Sequence, residues 1–448
     1  MDLFEKYNVP VPRYTSYPTV PTWDVANFSK DAWINEISKL GADHLKVEGI
    51  SLYIHLPFCE SLCTFCGCNK RITKNHEVEA PYIDTVLAEW RLYLQSFSEK
   101  PVISELHLGG GTPTFFSPAE LDRLLMGIFS DVQVAGKASL SVEGHPNHTD
   151  LEHLQVMHKH GFNRISFGVQ DYDPVVQKAI NRIQSFERVK EVTRWAREMG
   201  FEFISHDLVF GLPYQTAQSI EDTISKTISL KPERISFYSY AHVPWVKGTG
   251  QRGFSEQNLP VGKTKRALYE LGKAMLEEAG YHEIGFDHFA LESDELFKAR
   301  EKGSMHRNFM GYTTTQSKVL IGLGVSAISD CYTGYAQNPK TLEEYQRAIQ
   351  KGELAVDKGH IMSIEDIYIR NAILNLMCRF EADLSALPYK KDIVIRLKDP
   401  LNDGLIELDE NILKVTKEGI PFVRNICFAL DLRFHQSKES VARFSAAF

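Results

Sequence analysis

The sequence predicts an α/β chain: a partial (β/α)6 barrel with an N-terminal arm before it and a mostly helical, winged-helix-like domain after it. Three observations carry this. Between residues 50 and 280, short apolar runs alternate six times with helical stretches, the pattern of parallel strands joined by right-handed crossovers. Ahead of them lies Pro10-Val-Pro-Arg-Tyr-Thr-Ser-Tyr-Pro-Thr19, whose three prolines exclude a helix. Beyond residue 360 the pattern changes to a long helix, a hairpin and a last helix. The expected divisions are 1–48 for the arm, 49–300 for the barrel, 301–360 for covering loops and a linker, and 361–448 for the C-terminal domain.

The first strand is the run from Ile50 to Phe58, rich in Ile, Leu, Tyr and Phe and ended by Pro57. Ala80–Phe97 is helical, with Val86, Trp90 and Leu94 spaced for one face. Strands at Ile103–Leu108, Ser139–Glu143, Arg164–Val169, Phe201–Phe210 and Arg234–Tyr240 follow. Between them come helices at Pro118–Phe129 (N-capped by Ser117), Asp150–Lys159, Pro174–Ile180, Phe186–Met199, from Ala217, and at Lys263–Ala279. Most of these strands are apolar at nearly every position, which predicts a sheet covered on both faces. Glu283–Ala290 reads as one further strand, His306–Tyr312 as a lid or binding loop, and Ile321–Ile328 as core. Ser363–Phe380 is a helix, Leu405–Thr416 a hairpin turning at Asp409-Glu-Asn411, and Phe422–Leu430 lies in the final helix.

At 448 residues, with 43% hydrophobic and 24% charged residues, the chain has ordinary globular composition. Its net charge of -8 argues against a nucleic-acid or anionic-membrane binder. No apolar stretch approaches the ~18 residues of a membrane span, and the N-terminus lacks a signal pattern. A cytoplasmic, monomeric protein is expected.

Chemistry concentrates in Cys59-Glu-Ser-Leu-Cys63-Thr-Phe-Cys66-Gly-Cys68, which holds four of the seven cysteines just past the first strand. Disulfides are disfavoured in a reducing compartment. Structural zinc usually takes two separated pairs of ligands, and the remaining Cys331, Cys378 and Cys427 are scattered. Thiols crowded on one loop favour an iron–sulfur cluster, with zinc the alternative. At the other strand ends stand Gly109-Gly110-Gly111-Thr112-Pro113, Glu143, Gln170-Asp171 with Arg182 beyond, Asp207 and Tyr240-Ala241-His242. Any one of these is a commonplace rim group; at successive strand ends they describe one pocket.

The spacing Cys-x3-Cys-x2-Cys resembles the signature of radical S-adenosylmethionine (SAM) enzymes. The chain further resembles the oxygen-independent coproporphyrinogen III oxidases (dehydrogenases) of haem biosynthesis. The residues that carry this are Arg13-Tyr-Thr-Ser-Tyr-Pro18, Tyr53-Ile-His-Leu-Pro-Phe-Cys59, Cys66-Gly-Cys68, Gly109–Pro113, Ser166-Phe-Gly-Val-Gln-Asp171, Asn181-Arg182, Asp207–Pro213, Tyr240-Ala-His242, His306–Tyr312 with Thr313-Thr314, and Val423–Cys427. The resemblance implies a [4Fe–4S] cluster on Cys59, Cys63 and Cys66, whose fourth iron is left for SAM; spacing leaves Cys68 open as a further ligand. It also implies two SAM molecules. Tyr53, Gly110, Glu143, Ala241 and Ile328 line the cluster-bound one, and Phe65, Gly111, Thr112, Gln170, Arg182 and Asp207 the second. Three positions depart from the family pattern: Gly144-His145 where it often has x-Asp, Met310 where it has Gln, and His206 before Asp207 where it has an apolar residue.

The implied reaction begins when a reduced cluster splits SAM into methionine and a 5′-deoxyadenosyl radical. The radical takes a hydrogen from a propionate of coproporphyrinogen III; carbon dioxide leaves, a vinyl forms, and one electron passes to an unidentified acceptor. Two rounds give protoporphyrinogen IX. The low-potential electron comes from a donor such as a flavodoxin or ferredoxin. Arg13 and Arg307 are candidate counter-charges for the substrate's carboxylates, against a bland reading as surface salt bridges. A related radical SAM haem chaperone is the alternative, but it lacks the arm and the Cys68 thiol. A zinc-stabilised interaction protein is the non-enzymatic alternative.

Overall fold

In the computed structural model, which describes residues 2–245, 250–251 and 253–436, six strands run parallel and in chain order. They are β1 (Ile50–Leu56), β2 (Val102–Gly110), β3 (Gln133–Gly144), β4 (Arg164–Gln170), β5 (Phe203–Phe210) and β6 (Arg234–Ser239). Helices Glu79–Ser96, Pro118–Phe129, Leu151–Lys159, Phe186–Met199, Ala217–Leu230 and Gly262–Glu278 return the chain after each. Four of them begin where a side chain accepts the N3 amide: Ser117, Asp150, Ser185 and Thr216. This is the predicted α/β barrel.

The two faces of its sheet differ from the expectation. Leu52, Ile54, Leu106, Leu108, Leu140, Val142, Ile165, Phe167 and Ile204 point to the helices and form the main core. Their neighbours in sequence point the other way and are polar. Glu105, His107, Ser141, Arg164, Ser166, Asp207, Arg234 and Ser236 line an open lumen. The strands therefore alternate, with one face packed and the other lining a polar cleft instead of a second apolar layer.

Glu283–Ala290 is two strands and not one. β7 (His282–Ile284) and β8 (His288–Ala290) pair antiparallel, turning at Gly285 with φ +65°, and β8 closes on the edge of β6. The turn is glycine's, because a Cβ there would lie 2.3 Å from the Tyr312 ring. Residues 301–360, expected as covering loops and linker, carry more structure than that. After a hairpin of β9 (His306–Asn308) and β10 (Gly311–Thr313), four strands join the main sheet. β11 (Leu320–Leu323) lies parallel beside β1, and β12 (Ile328–Asp330), β13 (Gly334–Gln337) and β14 (Lys358–Ile361) extend it antiparallel. The run Leu320–Leu323 is too short to stand out by periodicity.

The C-terminal module packs helix Ile364–Arg379 and helix Val423–Leu430 against β15 (Glu381–Asp383), β16 (Ile406–Asp409) and β17 (Ile412–Val415). The β16–β17 hairpin turns at Glu410, φ +49°. Residues 437–448 of the expected C-terminal domain lie outside the described residues. The arm does more than pad a surface, since Tyr14 and Tyr17 are buried in the core of this module. Arg424 donates to the carbonyls of Val11 and Pro12, Asn425 to that of Tyr7, and Tyr335 to that of Tyr17. No described helix is long and apolar enough to cross a membrane.

At the floor of the barrel, the fully buried Asp294 accepts from Arg234 at 2.7 Å and from the Leu296 amide at 2.6 Å, with Arg164 at 3.7 Å. It ties β4 and β6 to the segment after β8. Asp294→Ala leaves Arg234 without its carboxylate, while Arg164 keeps Glu295 at 3.1 Å, and is expected to cost about 3–5 kcal/mol, read as a lower urea midpoint at unchanged slope.

Candidate active site

Because β1 to β6 are parallel, their C-terminal ends share one rim. The cysteine loop starts there and is clipped at its base. Phe58–Cys59 pairs with Arg71–Ile72, and Thr73 donates its amide to the Cys59 carbonyl at 2.9 Å. Its far side is tied down as well. Thr64 donates its amide to Ile180 and its hydroxyl to Ala179, and Asn181 donates to the Leu62 carbonyl at 2.8 Å. The β4 rim thus holds a loop that has no regular structure of its own.

Cys59, Cys63, Cys66 and Cys68 face one cavity. Each of the first three meets a polarising group. Thr112 donates its hydroxyl to Cys59 Sγ at 3.3 Å, and Arg182 Nη1 approaches Cys63 Sγ at 3.7 Å. The neighbouring Cys68 thiol pulls the Cys66 thiol down against its burial, aided by the charges of Lys70 and Arg182. The same contact, with Cys66's charge, pushes Cys68 well up. Burial pushes Cys59 up to about 11.

Phe65, Gly110, Gly111, Thr112, Glu143, Gln170, Arg182 and Asp207 line this same cavity, so the structure brings eight of the eleven predicted SAM contacts together. Glu143, at the end of β3, accepts from His107 at 3.2 Å and from the Gly110 amide at 3.2 Å. These bonds outweigh its burial and hold it below the usual carboxylate range. Asp207 is pushed up to about 6 by burial, although Ser166 donates to it at 2.6 Å. Arg182 donates to the Gly168 carbonyl at 2.6 Å while its Nε is buried without a partner. Gln170 sits at φ +68° where the β4 register slips, which turns its side chain to the rim.

The other predicted residues lie apart from this cavity's wall. Tyr53, inside the barrel on β1, hydrogen-bonds His55 at 2.9 Å and stacks on His107 with centroids 6.0 Å apart. The Ala241 carbonyl accepts from Gln251 at 3.0 Å. Ile328 begins β12 and packs near Trp23, Phe309 and Tyr335. Arg13 reaches the Ser239 carbonyl at 2.8 Å, and Arg307 lies with its Cζ 4.3 Å from the Tyr312 ring centroid. Of the departing positions, Met310 lines the lumen, His145 lines the thiol cavity with His148, and His206 is buried against Thr193 at 3.0 Å. Sequence reasoning passed over Lys70, which donates to the Cys66 and Cys68 carbonyls, and His107, which orients Glu143. The alternation of β2, in which His107 shares a face with Glu105, was the available signal for the histidine.

A radical SAM superfamily model matches residues 53–227. The curated oxygen-independent coproporphyrinogen III oxidase of Helicobacter pylori (strain ATCC 700392 / 26695) is 38% identical over 440 residues, which cover 96% of this chain and 95% of the relative. That of Escherichia coli (strain K12) is 36% identical over 452 residues, covering 99% and 97%. This chain belongs to the oxygen-independent coproporphyrinogen III oxidase family. The solved structure of coproporphyrinogen III oxidase (HemN) from Escherichia coli, described as a radical SAM enzyme, matches with a TM-score of 0.88 at 35% identity, covering 95% of this chain and 99% of that one.

Membership makes the chain a radical SAM oxidoreductase, which implies a [4Fe–4S] cluster and SAM. The donor set fits. Among the described residues no group of three or more Cys, His, Asp or Glu is close enough to hold a single metal ion. A cluster spreads its irons over a larger volume, and soft thiolates beside Lys70 and Arg182 suit it. Glycine is required where β2 turns into the cavity, because a Cβ on Gly111 would lie 2.6 Å from the Pro57 carbonyl. Gly111→Ala therefore pushes the β2 end off the base of the cysteine loop. It is expected to cost about 1–3 kcal/mol in a melting curve and to lower the iron retained per chain after anaerobic reconstitution.

Proposed function

We propose that the chain converts coproporphyrinogen III to protoporphyrinogen IX by oxidative decarboxylation of two propionates to vinyls. The observation that carries this is the four-cysteine loop at the mouth of a polar barrel, in a chain that matches the coproporphyrinogen III oxidases over 95% or more of its length. Bound at Cys59, Cys63 and Cys66, the cluster with SAM supplies the one-electron chemistry that removes a hydrogen atom from the propionate β-carbon. The remaining bookkeeping closes with loss of carbon dioxide and of one electron to an outside acceptor.

The chain's own residues bind and orient. Glu143 and Asp207 accept ribose hydroxyls, and Arg182 meets a carboxylate. Gly110, with φ +116°, lets backbone approach the methionyl end. We assign Tyr53, Gly110, Glu143, Ala241 and Ile328 to a first SAM, and Phe65, Gly111, Thr112, Gln170, Arg182 and Asp207 to a second. Support for the pair comes from the cavity that most of them share; Tyr53, Ala241 and Ile328 rest on the family pattern. Arg13 and Arg307 serve the substrate's carboxylates, and a low-potential carrier such as a flavodoxin or ferredoxin supplies the electron.

Anaerobic turnover of the reconstituted protein with coproporphyrinogen III should yield a product lighter by two molecules of carbon dioxide and four hydrogens, read by mass after oxidation to the porphyrin. An unchanged substrate beside intact SAM sinks the reading. Cys59→Ser, Cys63→Ser and Cys66→Ser should each abolish the brown colour and the product, whereas Cys68→Ser should keep the colour. Glu143→Gln exchanges one acceptor oxygen for a donor and is expected to weaken SAM binding by roughly tenfold, read by equilibrium dialysis.

A further inference from the structure

The cysteine loop has two sides: its thiols face the cavity, and its back faces solvent. At its tip Gly67 and Cys68 are exposed, and a Cβ on Gly67 would meet nothing within 4 Å. The chain then returns along the base of the loop as Asn69-Lys70-Arg71-Ile72-Thr73-Lys74. Asn69 donates its side chain to the Lys340 carbonyl at 2.9 Å, which sets residue 340 beside this segment. Lys70 places its ammonium on the carbonyls of Cys66 and Cys68, each 3.3 Å away and each neutral. Arg71 meets Glu343 at 3.3 Å on the surface. Lys74 and Lys340 are exposed, and neither has an ion-pair partner among the described residues. Next to Arg71 stands Ile72, an isoleucine 41% exposed.

Lys70, Lys74 and Lys340 thus leave a positive patch behind the loop, in a chain whose net charge is -8. Glu343 offsets Arg71 alone, and the nearby Glu60 and Glu77 turn to His148 and Asn75. A local positive field on an acidic protein draws an acidic partner and repels a second copy of the chain. The place of the patch says what that partner does. Only the loop itself separates it from Cys59, Cys63 and Cys66, and family membership implies a cluster there that must receive an electron. An apolar side chain set among charges gives a brief encounter its dry centre.

We propose that the back of the cysteine loop, with Arg71, Lys74 and Lys340 around Ile72, is the docking surface for an acidic flavodoxin. The assignment rests on the reading that a low-potential carrier supplies the electron, and deepens it by saying where the carrier sits. A flavodoxin fits by its chemistry: carboxylates surround the exposed methylated edge of its flavin. The carboxylates meet the lysines, and the apolar edge meets Ile72. One electron leaves the reduced flavin and enters the cluster, and no bond forms or breaks. A carrier seated there leaves the thiol cavity free for SAM. Electron-transfer encounters bury less than about 1,200 Å², so a few charges set their rate.

The test uses the cluster-loaded full chain without air. Calorimetry with oxidised flavodoxin, which has no electron to give, reads docking alone. Stopped-flow bleaching of the cluster by reduced flavodoxin reads transfer, with reduced methyl viologen as the small control donor. At low salt, Lys74→Glu combined with Lys340→Glu should weaken docking and slow transfer by roughly tenfold or more, and should not slow methyl viologen. Raising the salt from about 0.01 M to about 1 M should remove most of that difference. Lys74→Arg with Lys340→Arg should match the parent. So should Lys298→Glu with Lys302→Glu, the same change of net charge on exposed lysines at the barrel floor. Parent-like docking by the reversed pair, or an equal loss in the floor pair, overturns the surface. So does a parent chain that an acidic ferredoxin reduces and flavodoxin does not. Should no donor reduce the cluster, methyl viologen included, the carrier reading fails instead. Calorimetry then decides the surface alone: the parent must bind oxidised flavodoxin, and Lys74→Glu with Lys340→Glu must lose it.

Discussion

In a parallel sheet every strand finishes at the same edge, so whatever chemistry the strand ends carry is gathered on one rim. The registry here makes that gathering exact to the residue. Tyr53 lies opposite His107, His107 opposite Ser141, Glu143 opposite Ser166, and Gly168 opposite Asp207. His107 therefore reaches Glu143 and Ser166 reaches Asp207 without any long side chain having to bridge a gap. The cysteine loop inherits the same order, because it leaves β1 on that rim and is tied to the end of the β4 unit through Thr64 and Asn181.

Much of this was legible in the chain. The six barrel strands and their helices are long enough for hydrophobic period and capping residues to agree, as at Ser117 and Thr216. The thiol loop and the glycine run at 109–111 announce themselves by composition. What escaped has physical reasons. Ile165 and Phe167 mark β4 as apolar, while Arg164 and Ser166, pointing into the lumen, read as exceptions to the run when they are one of its two faces. β11 is four residues long and pairs with β1 across more than 260 residues of sequence, a contact no local pattern encodes.

The polar lumen explains how one barrel can be both rigid and open. Its stiffness comes from the outer face, where Leu106, Val142 and Phe167 pack on the helices at close to zero exposure. The inner face is left to hydrogen-bonded pairs such as Ser51 with Glu105 and Arg234 with Asp294. Ligands can thus occupy the cleft without displacing core side chains.

Tyr14 and Tyr17, near the beginning of the chain, complete a core whose remaining members run from Ile369 to Leu432. During synthesis the arm has nowhere to dock until the segment from Ile369 to Leu432 has followed it. Docking of the arm on this module is then a late step, after the sheet between them has formed. A bulky group fused directly before the arm is for that reason a perturbation of the module that holds Tyr14 and Tyr17, and belongs behind a spacer.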